Sequence, residues 1–287
     1  MRICLATVIT KDFLPGGLVL FQSFLESNPW FAGDLVVIHD GLERLDLAKF
    51  EAFAADVEFL PVAQTTQEKL TELSADLPGL GNRLARFYSI EVFRLANYDR
   101  VMFCDCDMLF LDSVEKLFQQ DAPLLASPDG PVLRGNGRDP ITFEELSGKP
   151  DGCLSMTFNA GLLLFDKSFL SSDTHAKLQS YLCKEFMGSI SSGHTDQVLY
   201  NILFDGQVTY IDAQYNFLMM HIFNQLPELS GSYQTAKVLH FNGHMKPWLP
   251  EKSKLAYKMH NEVHDAFKRW NQSYLAYLQQ AKMIGRD

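Results

Sequence analysis

RVMFCDCDMLFLD, residues 100–112, sets an apolar run, Val101-Met102-Phe103-Cys104, against two carboxylates, Asp105 and Asp107, and turns apolar again through Met108, Leu109, Phe110 and Leu111. A short continuous apolar run of this kind reads as a strand buried on both faces. Side chains two apart on a strand point the same way, about 7 Å apart along it. Asp105 and Asp107 are therefore expected to converge where the strand leaves the core. Two unpaired carboxylates that close repel each other unless a cation lies between them. Carboxylate oxygens suit a hard divalent ion such as Mg²⁺ or Mn²⁺. The expectation is a metal site at the carboxyl end of a central strand, the edge of an open α/β sheet where ligands bind. Acidic pairs at this spacing also occur in solvated loops, so the reading draws its weight from the apolar flanks and from the rest of the chain.

Outward from this stretch, the first half of the chain alternates between two periods. Strand-like runs cover Ile3–Ile9, Leu35–His39, Val57–Val62 and Val101–Cys104, with helix-like runs at Gly17–Glu26, Leu45–Ala55 and Leu84–Leu95. Such alternation predicts βαβ units, hence an α/β fold with a mixed, mostly parallel central sheet flanked by helices. In the second half, Leu124–Ser127, Phe158–Phe165, Val208–Asp212 and Val238–Phe241 read as strands, and Thr174–Phe186 and Thr195–Phe204 as helices. Asp129–Cys153 is rich in Gly, Pro and charge and shows no period, which predicts a long loop excursion over the site. The division expected is one domain over residues 1–250 and a C-terminal helical extension, 251–287, packed on it. Tyr257, Phe267, Trp270, Tyr274, Tyr277 and Leu278 supply that helix with an apolar face.

Length and charge bound the partners. A chain of 287 residues with 47% apolar and 21% charged residues has ample material for one large core. A net charge of −10 argues against nucleic-acid binding, which rests on phosphate neutralisation. An odd count of five cysteines (Cys4, Cys104, Cys106, Cys153 and Cys183) suits free thiols in a reducing compartment. Neither a secretory leader nor an apolar run of about 20 residues is visible, so a cytoplasmic protein without a transmembrane segment is expected. From Glu251 onward, seven Lys/Arg stand against four Asp/Glu. A basic, aromatic helix of this kind can touch a membrane surface as a peripheral anchor, but packing on its own domain is the favoured reading.

Three further segments carry chemistry-bearing residues. Asn159, Ala160 and Gly161 open a buried strand, where small residues permit close approach of a ligand and the amide can bond sugar hydroxyls, although an asparagine opening a strand is equally a turn residue. Asp196 and Gln197 stand at a helix start, where an acid in the first turn is explained by the helix dipole alone. HFNGHMKPW, residues 240–248, leaves a late strand with an imidazole at His240, a flexible backbone position at Gly243 and a cation at Lys246. His240 can ligate a metal and Lys246 can meet a phosphate, while a lone histidine after a strand is commonly structural.

Taken in order, the Asp105-Cys106-Asp107 strand end, the Asn159-Ala160-Gly161 strand, Asp196-Gln197 and the residues 240–248 resemble glycosyltransferase family 8, the group that includes glycogenin and bacterial lipopolysaccharide galactosyltransferases. Ile9 to Asp12 with Gly17 to Leu20 also resembles that family's nucleotide-binding first turn and helix. The resemblance runs from the first strand to about Trp248. It implies a GT-A type, Rossmann-like fold, a UDP-sugar donor, Mn²⁺ (or Mg²⁺) and retention of anomeric configuration in a hexosyl transfer. By position it implies Asp105, Asp107 and His240 as metal ligands. It places Gly243 and Lys246 at the donor diphosphate, and Asn159, Ala160, Gly161, Asp196 and Gln197 around the transferred sugar. Val8 and Thr10 would lie near the base and ribose, Cys106 at the donor, and Arg86 (with Arg83 as rival) on the donor side. Asp196, Gln197 and Lys246 would carry the chemistry. The acceptor would be a glycan, glycolipid, polyol or protein hydroxyl. A self-glycosylating primer of glycogenin type, drawing on Tyr210, Tyr215 or Tyr233, and a non-catalytic sugar-nucleotide-binding module stand as alternatives. A homo-oligomer is compatible with the sequence.

Overall fold

The computed structural model describes residues 1–53, 55–133, 135, 137, 156–190, 193–222, 233–249 and 260–284. The first half runs β1 (Ile3–Ile9), α1 (Leu14–Ser27), β2 (Asp34–His39), β3 (Val57–Pro61), α2 (Gln64–Asp76), a run of 3₁₀ turns at Pro78–Arg94, β4 (Arg100–Cys104) and β5 (Met108–Phe110). Then come β6 (Leu124–Pro128), β7 (Phe158–Asp166), α3 (Ser172–Ser180), α4 (Asp196–Leu203), β8 (Thr209–Tyr210), β9 (Phe217–Leu218), β10 (Val238–His240) and α5 (Asn261–Ile284).

Seven strands form the central sheet in the order β3-β2-β1-β4-β7-β6-β8. β3, β2, β1 and β4 are mutually parallel, and β7 enters antiparallel between β4 and β6. Side chains alternate between the two faces as the strand period requires. Val101 and Phe103 of β4 enter the core under α2, α3 and α4, whereas Met102 and Cys104 enter the core under α1. Both faces being covered, β1, β2 and β4 are mostly apolar, which is why they read as continuous runs.

The chain leaves β1 toward β2 on one side and later places β4 on the other, so the order reverses between β1 and β4. That reversal opens a crevice beyond the carboxyl ends of the two strands. Thr10 follows one strand and Asp105 the other.

A second sheet, β5-β10-β9, sits beside the first. Its register pairs His240 with Met108, and the amide of Phe241 donates to the carbonyl of Asp107 at 2.9 Å. A third apolar core lies between this sheet, α1 and α5, and includes Val19, Leu109, Phe217, Leu239, Phe267 and Trp270. α5 also reaches back to the turn after α1 and β2: the Tyr277 hydroxyl donates to the Lys49 carbonyl at 3.0 Å. Leu278 stands off the buried face and is exposed, contrary to the face expected from the sequence, and Tyr257 lies outside the described residues. Among the described residues, no helix is long and apolar enough to cross a membrane.

Several elements differ from the sequence expectation. Gln64–Asp76 is a helix that periodicity did not reveal, because only Thr66, Leu70 and Leu73 of it are buried. Leu45–Ala55 is not one helix but an α turn at Arg44–Leu47 followed by 3₁₀ turns at Ala48–Ala52. Leu84–Leu95 belongs to the 3₁₀ run Pro78–Arg94, which is broken at Gly81, whose φ is +43°. Thr174–Phe186 is broken after Ser180, where Cys183 is extended and Tyr181 stacks on Phe186 at 4.2 Å. Val208–Asp212 yields only the two-residue β8. Of the excursion Asp129–Cys153, a single helical turn at Gly130–Leu133 is described, and residues 138–155 lie outside the described residues.

Candidate active site

β4 ends at Cys104, one residue before the acidic pair, so Asp105 and Asp107 sit in a turn between two sheets and not on one pleat. The amide of Asp105 still donates to the Gly161 carbonyl at 2.7 Å, tying the turn to β7. Convergence comes from that turn and from the β5–β10 register, which carries His240 in from the other side. One ligand atom each from Asp105, Asp107 and His240 falls within 4.8 Å of the others. His240 Nε2 lies 3.5 Å from Asp105 Oδ2 and 3.2 Å from Asp107 Oδ1. Both thiols of the stretch, Cys104 and Cys106, are free and buried.

The electrostatics favour a cation here. Asp107 is buried, and its Oδ1 accepts no hydrogen bond from the protein. Its Oδ2 pairs with the Lys246 ammonium, which also donates to the Phe241 carbonyl at 2.6 Å. Burial opposes a charge on Asp107, and Lys246 foremost outweighs it, holding that carboxyl well below the usual range. Asp105 is driven the other way, by desolvation and then by the facing Asp107 carboxylate. Two carboxylates facing each other, one of them lifted by the other, make a place where a cation relieves the repulsion. Two carboxylates and one imidazole form a donor set suited to a divalent ion of the Mn²⁺ type, and the residues fit such a group.

Beside this cluster, Asn159 and Gln197 are built into the scaffold. Asn201 of α4 clamps the start of β7, accepting from the Phe158 amide and donating to its carbonyl, both at 2.9 Å. That clamp sets Gln197, one helical turn earlier, against Asn159. Gln197 Oε1 accepts from Asn159 Nδ2 at 3.1 Å and from the Ala160 amide at 3.3 Å, while its Nε2 donates to Asp129 Oδ2 at 3.0 Å. Asp196 opens α4, where the N-cap residue Thr195 makes no side-chain capping bond. The Asp196 carboxylate accepts from Ser89 Oγ at 2.8 Å and from Thr195 Oγ1 at 3.1 Å. Burial pushes the Asp196 acid up, against the pull of Ser89 and the charge of Arg86.

The remaining residues fall into place around the crevice. Val8 and Thr10 are half-buried at the carboxyl end of β1. Gly161 on β7 leaves room for the imidazole: a Cβ there would meet His240 Cε1 at 2.4 Å. Gly243 adopts φ +70° in the turn after β10, next to Met220. Lys246 lies 5.8 Å from the centroid of the Phe13 ring, and Trp248 packs on that ring and donates to the Asp12 carbonyl at 3.0 Å. Arg86 is exposed and acts on Asp196 only by charge, whereas Arg83 bonds the Gly79 and Gly193 carbonyls and so belongs to the scaffold. Sequence reasoning missed Ser89, Asp129 and Asn216. Asp129 heads the Gly/Pro-rich excursion and was the one of these within reach of a sequence signal.

A fold reversed at β1 and β4, with carboxylates and an imidazole at the reversal, defines a ligand cleft of an open α/β sheet that is suited to a cation. The family model for glycosyl transferase family 8 matches residues 4–252, and the chain belongs to that family. Glycogenin-1 of Mus musculus is 29% identical over 176 residues, spanning 60% of this chain and 43% of that protein. Glycosyltransferase GlyA of Streptococcus pneumoniae serotype 4 is 26% identical over 156 residues, 52% of this chain and 19% of that protein. The chain thus spans less than half the length of these curated relatives. Among solved structures, galactosyltransferase LgtC in complex with donor and acceptor sugar analogs superimposes with a TM-score of 0.66 at 22% identity, covering 96% of each chain. The fold is therefore of the GT-A type.

Proposed function

We propose that this protein is a retaining glycosyltransferase that moves a hexose from a UDP-sugar to the hydroxyl of a separate acceptor, with Mn²⁺ held by Asp105, Asp107 and His240. The observation that carries the reading is the convergence of those three side chains within 4.8 Å at the crevice between β1 and β4, in a chain of this family. A bound divalent ion supplies Lewis-acid stabilisation of the departing diphosphate.

The protein's own groups do the rest. Lys246, which stands beside Asp107 at the same crevice, would bring a second positive charge to the diphosphate. Its contribution grows as the glycosidic bond breaks, so it lowers the barrier and does not merely tighten binding. Gly243 lets the backbone approach the phosphates closely. Asp196 and Gln197 flank the sugar, with Gln197 held at both ends of its amide, so little reorganisation accompanies the reaction. Val8 and Thr10 border the nucleoside, and Arg86 stands at the outer edge of the donor side.

Placement of the tyrosines favours a separate acceptor over self-glycosylation. Tyr210 donates to the Met156 carbonyl, Tyr233 to Asp265, and Tyr215 is buried beside Lys237. Among the described residues, none of these hydrogen-bonds the cluster. The presence together of Asp105, Asp107, His240 and Lys246 favours an enzyme over a binding module.

Thermal unfolding with a panel of UDP- and GDP-sugars, with and without Mn²⁺, tests the reading. At a hundredfold excess over Kd a ligand stabilises the fold by about 2.7 kcal/mol. The expected result is a rise in Tm for one UDP-sugar that vanishes with EDTA. No rise with any nucleotide sugar would contradict it.

A further inference from the structure

Between Asp129 and His240 runs an unbroken chain of side-chain amides whose polarity is fixed by groups that can act in only one sense. A backbone N–H only donates, and an ionised carboxylate only accepts. The Gly161 amide donates to Asn159 Oδ1 at 2.9 Å, so the Asn159 atom at that place is oxygen. The Ala160 amide donates to Gln197 Oε1, and Asp129 accepts from the other end of the same side chain, so Gln197 is fixed twice.

With Asn159 Oδ1 fixed as an acceptor, the Asn216 atom 2.9 Å from it is the amide nitrogen, Nδ2. The opposite atom of Asn216, Oδ1, then faces His240 Nδ1 at 3.0 Å. A carbonyl oxygen cannot donate, so that ring nitrogen carries the hydrogen. In a neutral imidazole the other nitrogen is then bare. That other nitrogen is Nε2, the atom turned toward Asp105 and Asp107. Asp107 Oδ1 is buried and lies 3.2 Å from that nitrogen. Asn216 is itself buried, at 2% exposure, and sits where the chain enters β9, the strand that pairs with β10.

We propose that Asn216 is a positioning residue that holds His240 as its Nδ1–H tautomer, presenting the Nε2 lone pair to the cation site. The consequence for metal binding rests on the Mn²⁺ reading above, whereas the tautomer does not. Among the described residues, the chain Asp129–Gln197–Asn159–Asn216, anchored by the Gly161 and Ala160 amides, leads to that Nδ1, so the same amides that border the sugar also tune the metal ligand. Partners of this kind that orient a ligating histidine change metal affinity by about 10–100-fold when removed.

The test is a long-range ¹H–¹⁵N spectrum of the metal-free protein at mildly alkaline pH, with His240 assigned by comparison with His240→Gln. The wild type is expected to show a protonated Nδ1 and a bare Nε2, and Asn216→Ala to mix the two tautomers. In parallel, the electron paramagnetic resonance signal of free Mn²⁺ should report a loss of affinity of about 10–100-fold in Asn216→Ala. A wild-type His240 protonated at Nε2 would overturn the proposal, as would an unchanged tautomer in the variant. If the variant does not fold, the wild-type spectrum alone decides. A wild type with the expected tautomer that binds no Mn²⁺ would uphold the positioning role and overturn the metal reading, so the two fail separately.

Discussion

Gly161 shows how tightly single residues are constrained around the cluster. A Cβ at this position would lie 2.4 Å from His240 Cε1, 2.8 Å from Nδ1 and 2.9 Å from Asn159 Oδ1. Gly161→Ala must therefore displace the imidazole, at the ordinary overpacking cost of about 1–3 kcal/mol. The variant is expected to fold and to lose metal-dependent donor binding; circular dichroism with a Mn²⁺ titration checks both halves. Lys246 is the complementary case. Lys246→Ala should reduce turnover by about 10²–10³-fold, the usual loss for one charge-stabilising donor, and full activity in a kinetic assay would remove it from the mechanism. At this scale the sequence was informative wherever a residue's chemistry was conspicuous. Asp105, Asp107, Asn159, Gln197, His240 and Lys246 all drew attention, and the fold brings them together. Asn216 and Ser89 did not, because their partners lie 24 and 107 residues away and a lone amide or hydroxyl gives no local signal.

Elements were legible in proportion to how continuously they are buried. β1, β2 and β4 are covered on both faces and gave unmistakable apolar runs. α2 presents only three buried residues and gave none. It is held instead by a polar hub. Glu91, fully buried, accepts from Thr66 Oγ1 and the Ala63 amide of α2's first turn, from Arg94, and contacts His175 of α3. Burial alone would raise the Glu91 acid, but His175, Thr66 and Arg94 outweigh it and lower it below its ordinary value. A carboxyl lowered on folding adds stability above its unfolded pKa, near 4.3, and loses that contribution as pH falls through the lower folded value. Acid unfolding should therefore be steeper in the wild type than in Glu91→Gln over that acidic window. Equal slopes in urea melts across the window would remove Glu91 from the account. Of the second sheet, only β10 was legible in the sequence, as the strand read at Val238–Phe241. β5, β9 and β10 have two or three residues each, and only their register explains why His240 reaches Asp107.

For the molecule as a whole, the strand order decides where the site forms. With β1 central and neighbours added first on one side and then on the other, the crevice falls beyond Thr10 and Asp105. α5 closes the opposite flank through Trp270, whose ring lies 5.7 Å from Trp248 at the end of the turn that carries Lys246. The central claim is that Asp105, Asp107 and His240 hold a divalent cation on which UDP-sugar binding depends. Calorimetric titration of UDP into the wild type and Asp105→Asn, each with Mn²⁺ and with EDTA, tests it most directly. The Asp105 side chain is 43% open to solvent, so this exchange should leave the fold intact. Tight UDP binding confined to the wild type with Mn²⁺ is the predicted result. Equal binding in all four titrations, or UDP binding by the wild type that is indifferent to EDTA, would contradict the claim.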